Sequence, residues 1–173
     1  SSLGSNTSVS LRHAHLGSPS SIGLDISLFL GSNNSIEVQD AVVEGGLELS
    51  TGTNGQVRME RIMASQGNGV NILAPTVGLV DVICKDSQFG ITVSDLMPGA
   101  RLEATNLTLE NNQAAGLSLV GTGHIEASRF TDNGLGLAPG QIGGERGRAH
   151  ARRPVKDQSG LTGAEGNKES TTL

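Results

Sequence analysis

Two carboxylates, Asp25 and Glu48, hold the same position in two copies of a short motif. The motif reads glycine, apolar, any residue, apolar, and these copies begin at Gly23 and Gly46. If both copies are neighbouring strands of a parallel sheet, the two side chains face outward about 5 Å apart. Paired carboxylates can act as acid and base in glycoside hydrolysis or bind Ca²⁺ through oxygen. Asp25 and Glu48 are therefore the candidate catalytic residues, against the alternative of a solvated acidic stripe.

A second row of charged residues comes from a second alternating segment that follows each motif. Its outward positions are predicted to be Glu37, Arg58, Asp81, Glu103 and Glu126. The first three alternate in sign and predict modest cross-strand ion pairs. Glu103 beside Glu126 is a like-charge pair, which a bridging Ca²⁺ would stabilise. These two glutamates are the candidate metal ligands, with Ca²⁺ as the candidate ion, and no cofactor is otherwise expected.

A repeat of about 22 residues supplies the elements that would position these side chains. Six copies of the motif begin at Gly23, Gly46, Gly69, Gly90, Gly116 and Gly134, and all twelve of their apolar positions hold Leu, Ile or Val. A third short apolar segment follows the second, and turn residues such as Asn112 and Asn133 close the units. Strands this short bury a face only when successive units stack.

The alternation and the period together predict an all-β parallel solenoid with three short strands per coil and about five to six coils. Leu24, Leu47, Val70, Ile91, Leu117 and Leu135 are predicted to form one inward ladder. An antiparallel sandwich is the alternative, but its strands would recur every 8–12 residues or so without a fixed period of about 22. A right-handed coil follows from the general handedness of parallel crossovers.

Composition and charge narrow the partners of this fold. Residues 1–140 carry six Lys and Arg against thirteen Asp and Glu, a net of −7, and the chain has no Trp or Tyr. An acidic surface without stacking aromatics argues against nucleic acid. No run of about 18 apolar residues exists, so no membrane span is predicted. The one cysteine, Cys84, is predicted to be a small buried residue.

The strands and the asparagine-rich turns near Asn68, Asn112 and Asn133 resemble the right-handed parallel β-helix family with PbH1-type repeats, the pectin-lyase-like fold. The resemblance covers roughly residues 8–140. It implies a secreted or cell-surface protein, because the family includes polysaccharide lyases and hydrolases, epimerases, adhesins and tailspikes. Lyases of the family place a Lys or Arg base near acidic Ca²⁺ ligands, and the neighbouring first-strand positions here hold neither.

The two ends depart from the repeat. Residues 1–7 are predicted to be irregular, and residues 141–173 to be a disordered tail, because alternation stops and Gly, Arg, Ser and Thr dominate. Neither end shows an obvious capping unit, so end-to-end self-association through exposed coil edges is expected.

Two functions fit these observations. The first is a non-catalytic β-helix segment of a secreted or surface protein, acting as a rigid scaffold or a weak polysaccharide or adhesive contact. The second is a carbohydrate-active enzyme, a lyase or hydrolase, acting on an acidic polysaccharide through Asp25 and Glu48. The acidic body would repel polyuronates unless Ca²⁺ bridged them, which favours the first function.

Overall fold

The computed structural model describes residues 6–17, 23–28, 32–95, 99–139, 149–151 and 171–172, with side chains up to residue 136. Every regular element in these ranges is a β-strand. In chain order the strands are β1 (Ser8–Arg12), β2 (His15–Gly17), β3 (Leu24–Leu28), β4 (Ser35–Glu44), β5 (Leu47–Thr51), β6 (Gln56–Ser65), β7 (Val70–Leu73), β8 (Thr76–Lys85), β9 (Phe89–Ser94), β10 (Ala100–Thr105), β11 (Thr108–Glu110), β12 (Ala115–Leu119), β13 (Gly121–Glu126), β14 (Arg129–Thr131), β15 (Leu137–Pro139), β16 (Ala149–Ala151) and β17 (Thr171–Thr172).

One sheet is built from the strands of the glycine motif, and we call it the first face. Its order is β15-β12-β9-β7-β5-β3, with every pair parallel. Leu24 pairs with Leu47, Leu47 with Val70, Val70 with Ile91 and Ile91 with Leu117. These contacts confirm the predicted ladder over its first five members. Six strands stacked one unit apart give the predicted parallel β-solenoid of about five turns.

The other sheet holds the second and third segments of each unit, and it bends sharply between them. β4, β6 and β8 are each ten residues long. Each contains one residue with positive φ at its sixth position: Asp40 (52°), Arg61 (55°) and Asp81 (54°). A single left-handed residue turns the chain and restarts the alternation of side chains. The residues before this corner form the second face, and those after it form the third face.

The core lies between the three faces and consists of aliphatic ladders. Ile36, Val57, Val77 and Leu102 stack from the second face, and Val43, Ala64, Cys84 and Leu109 stack from the third. All eight are at most 1% exposed. The interior is narrow, so its fully buried apolar side chains among the described residues are Leu, Ile, Val, Met, Ala and Cys, and the partly buried Phe130 packs against them. This explains why a chain with only 35% apolar residues can fold.

The prediction that Leu135 is the sixth member of the first-face ladder is wrong. Leu117 pairs with Leu137, and Leu135 is 59% exposed. The corner before the first face explains the shift of two residues. Four positions separate the buried Ser87 from Ile91 in one unit, and four separate Asn133 from Leu137 in the last unit. Pairing through Leu135 would leave only two positions, too few to round the same corner.

The predicted second-face row is wrong at two positions. Arg58 pairs with Gly78, and Glu103 pairs with His124. Asp81 instead lies at the left-handed corner, and Val82 begins the third face. The sequence could not separate these alternatives, because Val80-Asp81-Val82 alternates as well as Val77-Gly78-Leu79 does.

The predicted tail, residues 141–173, lies outside the described residues apart from β16 and β17. β16 pairs in parallel with β13, and β17 pairs antiparallel with β16. Of the predicted irregular segment, only residues 6 and 7 are described. Within the described ranges, no helix has the length and apolar character needed to span a membrane.

Candidate functional site

A groove of about 520 Å³ runs over the outside of the first face. Its floor comes from outward positions of neighbouring strands, and its wall comes from the corner that precedes them. The lining residues are Glu48, Asn68, Val70, Asn71, Gln88, Phe89, Thr92, Ala114, Ala115, Ser118 and Leu135. The groove therefore crosses the strands and follows the axis of the solenoid.

The floor of the groove is the outward row that the repeat predicts. Glu48 pairs with Asn71, Asn71 with Thr92, and Thr92 with Ser118. Stacking one unit per turn sets these side chains about 4.8 Å apart along the axis. The row continues to Ala138, where the prediction was Gly136. A regular line of hydroxyl, amide and carboxylate groups results, and such groups donate and accept hydrogen bonds.

Asp25 and Glu48 are direct neighbours in this row, as predicted. Their Cα atoms are partners between β3 and β5. Ser27 donates a hydrogen bond of 2.6 Å from its hydroxyl to Oδ1 of Asp25. The described strands β3, β5, β7, β9 and β12 contain no Lys, Arg or His. Two carboxylates thus lie side by side on a face whose described strands supply no positive charge to balance them.

The wall of the groove is partly apolar, and sequence reasoning missed it. Phe89 is 40% exposed, beside Ala115 on the next strand, and Leu135 is 59% exposed. The repeat predicts asparagines and glycines at the corners, but it does not show which other side chains near a corner face outward. One signal was present: Phe89 is one of three aromatic residues in the chain and directly precedes the motif glycine Gly90.

Buried polar side chains hold the corner behind this wall. Asn112 is 1% exposed, and its Oδ1 accepts a hydrogen bond of 3.2 Å from the Ser87 backbone N–H. The Asn112 amide donates to Oδ1 of Asn133, and the Asn133 amide donates to the carbonyl of Leu109 at 2.7 Å. These bonds repeat from turn to turn, so each corner fixes the next one. They satisfy backbone groups that the turns leave unpaired inside the protein.

The candidate calcium ligands do not form the predicted pair. Glu103 lies opposite His124, whereas Glu126 lies opposite Thr105, two residues farther along the strands. His124 places Nε2 2.8 Å from Oε1 of Glu126, and Arg101 donates to Glu103 at 3.0 Å. Each glutamate thus contacts a side chain of its own strand. Among the described residues, no three His, Cys, Asp or Glu side chains converge as a metal site.

Charged residues of the second and third faces are mostly tied into ion pairs, unlike those of the first. Arg61 donates from Nε and Nη2 to the two carboxylate oxygens of Asp40, with Nη2 at 2.9 Å from Oδ2, and its Nη1 donates to Glu60. This hydrogen-bonded pair lowers the pKa of Asp40 below its usual 3.8. Arg12 bridges to Glu37 at 3.1 Å, and Arg58 approaches Glu60 at 3.5 Å. Asp25 and Glu48 stand apart from these networks, which is why the first face is the candidate binding surface.

No protein family, curated protein or solved structure matches this chain.

Proposed function

We propose that this chain is a non-catalytic parallel β-helix segment of a secreted or cell-surface protein. In this proposal it acts as a rigid scaffold whose first face makes a weak contact with polysaccharide or another cell-surface component. The single observation that carries the proposal is the groove floor of Glu48, Asn71, Thr92 and Ser118, a regular row of mostly neutral polar groups.

The chemistry of the groove supports contact more than turnover. Glu48 is the only titratable side chain among the lining residues. Amides and hydroxyls can bind the hydroxyls of a sugar chain, and the exposed ring of Phe89 offers one apolar surface. A single small aromatic contact and an open groove predict weak binding, because affinity needs well-buried anchors.

The continuous ladders support the scaffold half of the proposal. Each strand pairs with its equivalent one turn away, and the core runs unbroken beneath all three faces. Repeat proteins of this kind transmit their order from neighbour to neighbour, which gives a rod of defined length.

Direct binding and product release from a panel of neutral and acidic polysaccharides test the proposal, with and without Ca²⁺. We expect weak, saturable binding of at least one polymer and no release of products. Asn71→Ala and Thr92→Ala should weaken that binding, whereas Arg58→Ala on the second face should leave it unchanged. Binding that is indifferent to both groove variants, or product release by the wild type, would contradict the proposal.

A second candidate function rests on the adjacency of Asp25 and Glu48. Two carboxylates on neighbouring strands have the residue types that glycoside hydrolysis requires. In this reading the chain is a carbohydrate-active enzyme acting on an acidic polysaccharide. Product release lost in both Asp25→Ala and Glu48→Ala would support it, and release that survives the double variant would remove it.

A further inference from the structure

The third face carries a row of exposed apolar side chains, which we call the apolar row: Val42, Met63 and Ile83. Cα pairing places them on consecutive turns. Val42 is 36% exposed and Met63 is 39% exposed, while Ile83 is partly exposed. Aligned apolar side chains remove more area from water together than single scattered ones do.

Beside the apolar row lies a second row, two residues farther along each strand, which we call the outer row: Glu44, Ser65 and Lys85. It follows the same three turns. Among the described charged groups, Glu44 approaches only the exposed imidazole of His15, at 3.9 Å. Lys85 makes no ion pair with a described residue, although Glu110 is its neighbour on the next turn. The negative Glu44 and the positive Lys85 thus lie one turn away from Ser65 on opposite sides along the solenoid axis.

This arrangement matches itself under a two-fold rotation. Consider a two-fold axis that lies in the plane between two facing third faces, above β6 and parallel to its strand direction there. The two solenoids then face each other with antiparallel long axes. Met63 of each copy then faces Met63 of the other, and Val42 faces Ile83. Glu44 faces Lys85 twice, once in each direction, as an isologous interface requires.

We propose that the third face is a self-association surface that pairs two copies of this chain side by side. The apolar row supplies the buried centre of the contact, and the outer row supplies two reciprocal ion pairs that set its direction. This contact is lateral, and so it differs from association through the open ends of the coil.

On its other side, the apolar row is bordered by the corner residues Asp40, Arg61 and Asp81. Their charges limit the strength of the contact. The same rotation sets Asp40 of one copy against Asp81 of the other. Arg61 is bonded to Asp40 and offsets its charge, and Asn106 donates to Asp81 at 2.6 Å. The apolar row spans three turns, about 10 Å along the axis, so we expect the contact to bury less area than a standard interface. We therefore expect a weak dimer, with a dissociation constant on the order of 0.1–1 mM.

Charge reversal tests the reciprocal pairing directly. Sedimentation equilibrium of the full chain over a range of concentrations should show a monomer–dimer equilibrium. Glu44→Lys and Lys85→Glu should each weaken it about tenfold or more, because like charges then face each other twice. An equal mixture of the two variants should associate again as a heterodimer, because each contact is once more between opposite charges.

Two further variants separate this surface from general changes in charge. Met63→Asp should abolish the dimer, since it places a charge at the centre of the apolar row. Arg101→Glu, an exposed charge reversal on the second face, should leave the dimer unchanged. Circular dichroism confirms that each variant is folded. A wild type that stays monomeric at millimolar concentration would overturn the proposal, as would a mixture of the two reversal variants that associates no better than either alone.

Discussion

The side-chain amide of Asn112 donates a hydrogen bond to Oδ1 of Asn133, 2.8 Å away and one turn farther along the solenoid. The same oxygen of Asn133 also accepts from the backbone N–H of Asn112 at 3.0 Å. Two neighbouring turns are thereby joined at a corner where the chain leaves the third face for the first. The groove wall begins immediately after this corner, so the buried asparagines hold the site as well as the fold.

Replacing Asn112 by alanine should lower the free energy of unfolding by about 1–3 kcal/mol. The change leaves the Ser87 N–H and the Cys84 carbonyl without the partners that Asn112 supplies. Gln113→Ala changes an exposed neighbour and is the matched control, with an expected effect within about 0.5 kcal/mol. Urea unfolding followed by circular dichroism measures both, and equal midpoints for the two variants would contradict this role of Asn112.

Gly69, in the turn before β7, and Gly78, within β8, should respond very differently to alanine. Gly69 has φ of 89°, and a Cβ there would lie 1.7 Å from the carbonyl oxygen of Phe89. We expect Gly69→Ala to cost more than about 2 kcal/mol, because strain and a backbone clash add together. A Cβ on Gly78 meets nothing within 4 Å.

Gly78→Ala is therefore the control, and we expect its stability to change by less than about 0.5 kcal/mol or to rise slightly. Thermal unfolding of the two variants beside the wild type makes the comparison. A Gly69→Ala variant as stable as Gly78→Ala would mean that the first-face corner at Phe89 is not as close as described.

The sequence predicts the first face well because its signal is redundant. In the first five copies a glycine adjoins the first residue of the strand and both inward positions are aliphatic, so the pairing of Asp25 with Glu48 follows directly. The second face lacks such a marker. At Val80-Asp81-Val82, a left-handed residue restarts the alternation, and two apolar residues flank it on different faces. Periodicity alone cannot locate that restart, which explains the error at Asp81. The error at Glu126 is a slip of two residues along one strand, because Gly123 and not an aliphatic residue holds the position opposite Leu102.

The groove shows the same division between periodic and irregular parts. Its floor follows from alternation, whereas its wall comes from Gln88 and Leu135 in the corners and from Phe89 at the start of β9. Their placement depends on buried hydrogen bonds such as that of Asn133. The motif predicts Leu135 in the inward ladder because it follows a glycine. The extra residues needed to round the corner put it outside instead.

The ion pair of Arg61 with Asp40 should make stability depend on pH in the acidic range. The hydrogen-bonded guanidinium lowers the pKa of Asp40 in the folded protein. Its contribution is therefore complete above the usual carboxyl pKa of 3.8 and is lost as pH falls through the lower folded value. Asp40→Asn keeps a residue type that tolerates positive φ and removes only the charge.

We expect Asp40→Asn to be less stable than the wild type near neutral pH, with the difference shrinking toward zero at strongly acidic pH. Asp86→Asn is the matched control, because Asp86 also has positive φ but its contact is the uncharged amide of Asn111. Urea unfolding at several pH values measures the differences. A gap between wild type and Asp40→Asn that stays constant down to strong acid would contradict the pairing.

Cys84 should react with thiol reagents only when the protein opens. Its side chain is fully buried on the third-face ladder, and its Sγ donates to the carbonyl of Gly90 at 3.2 Å. Burial raises the pKa of this thiol to about 11, so little of the reactive thiolate forms at neutral pH, and burial also keeps reagents away from the sulfur.

Thr105→Cys places a second thiol on an exposed position of β10 and provides an internal control. In this variant one thiol should react at once and the other only as urea unfolds the chain, with the same midpoint as circular dichroism. Rapid reaction of the single thiol in the native wild type would show that the ladder beside Gly90 opens without unfolding.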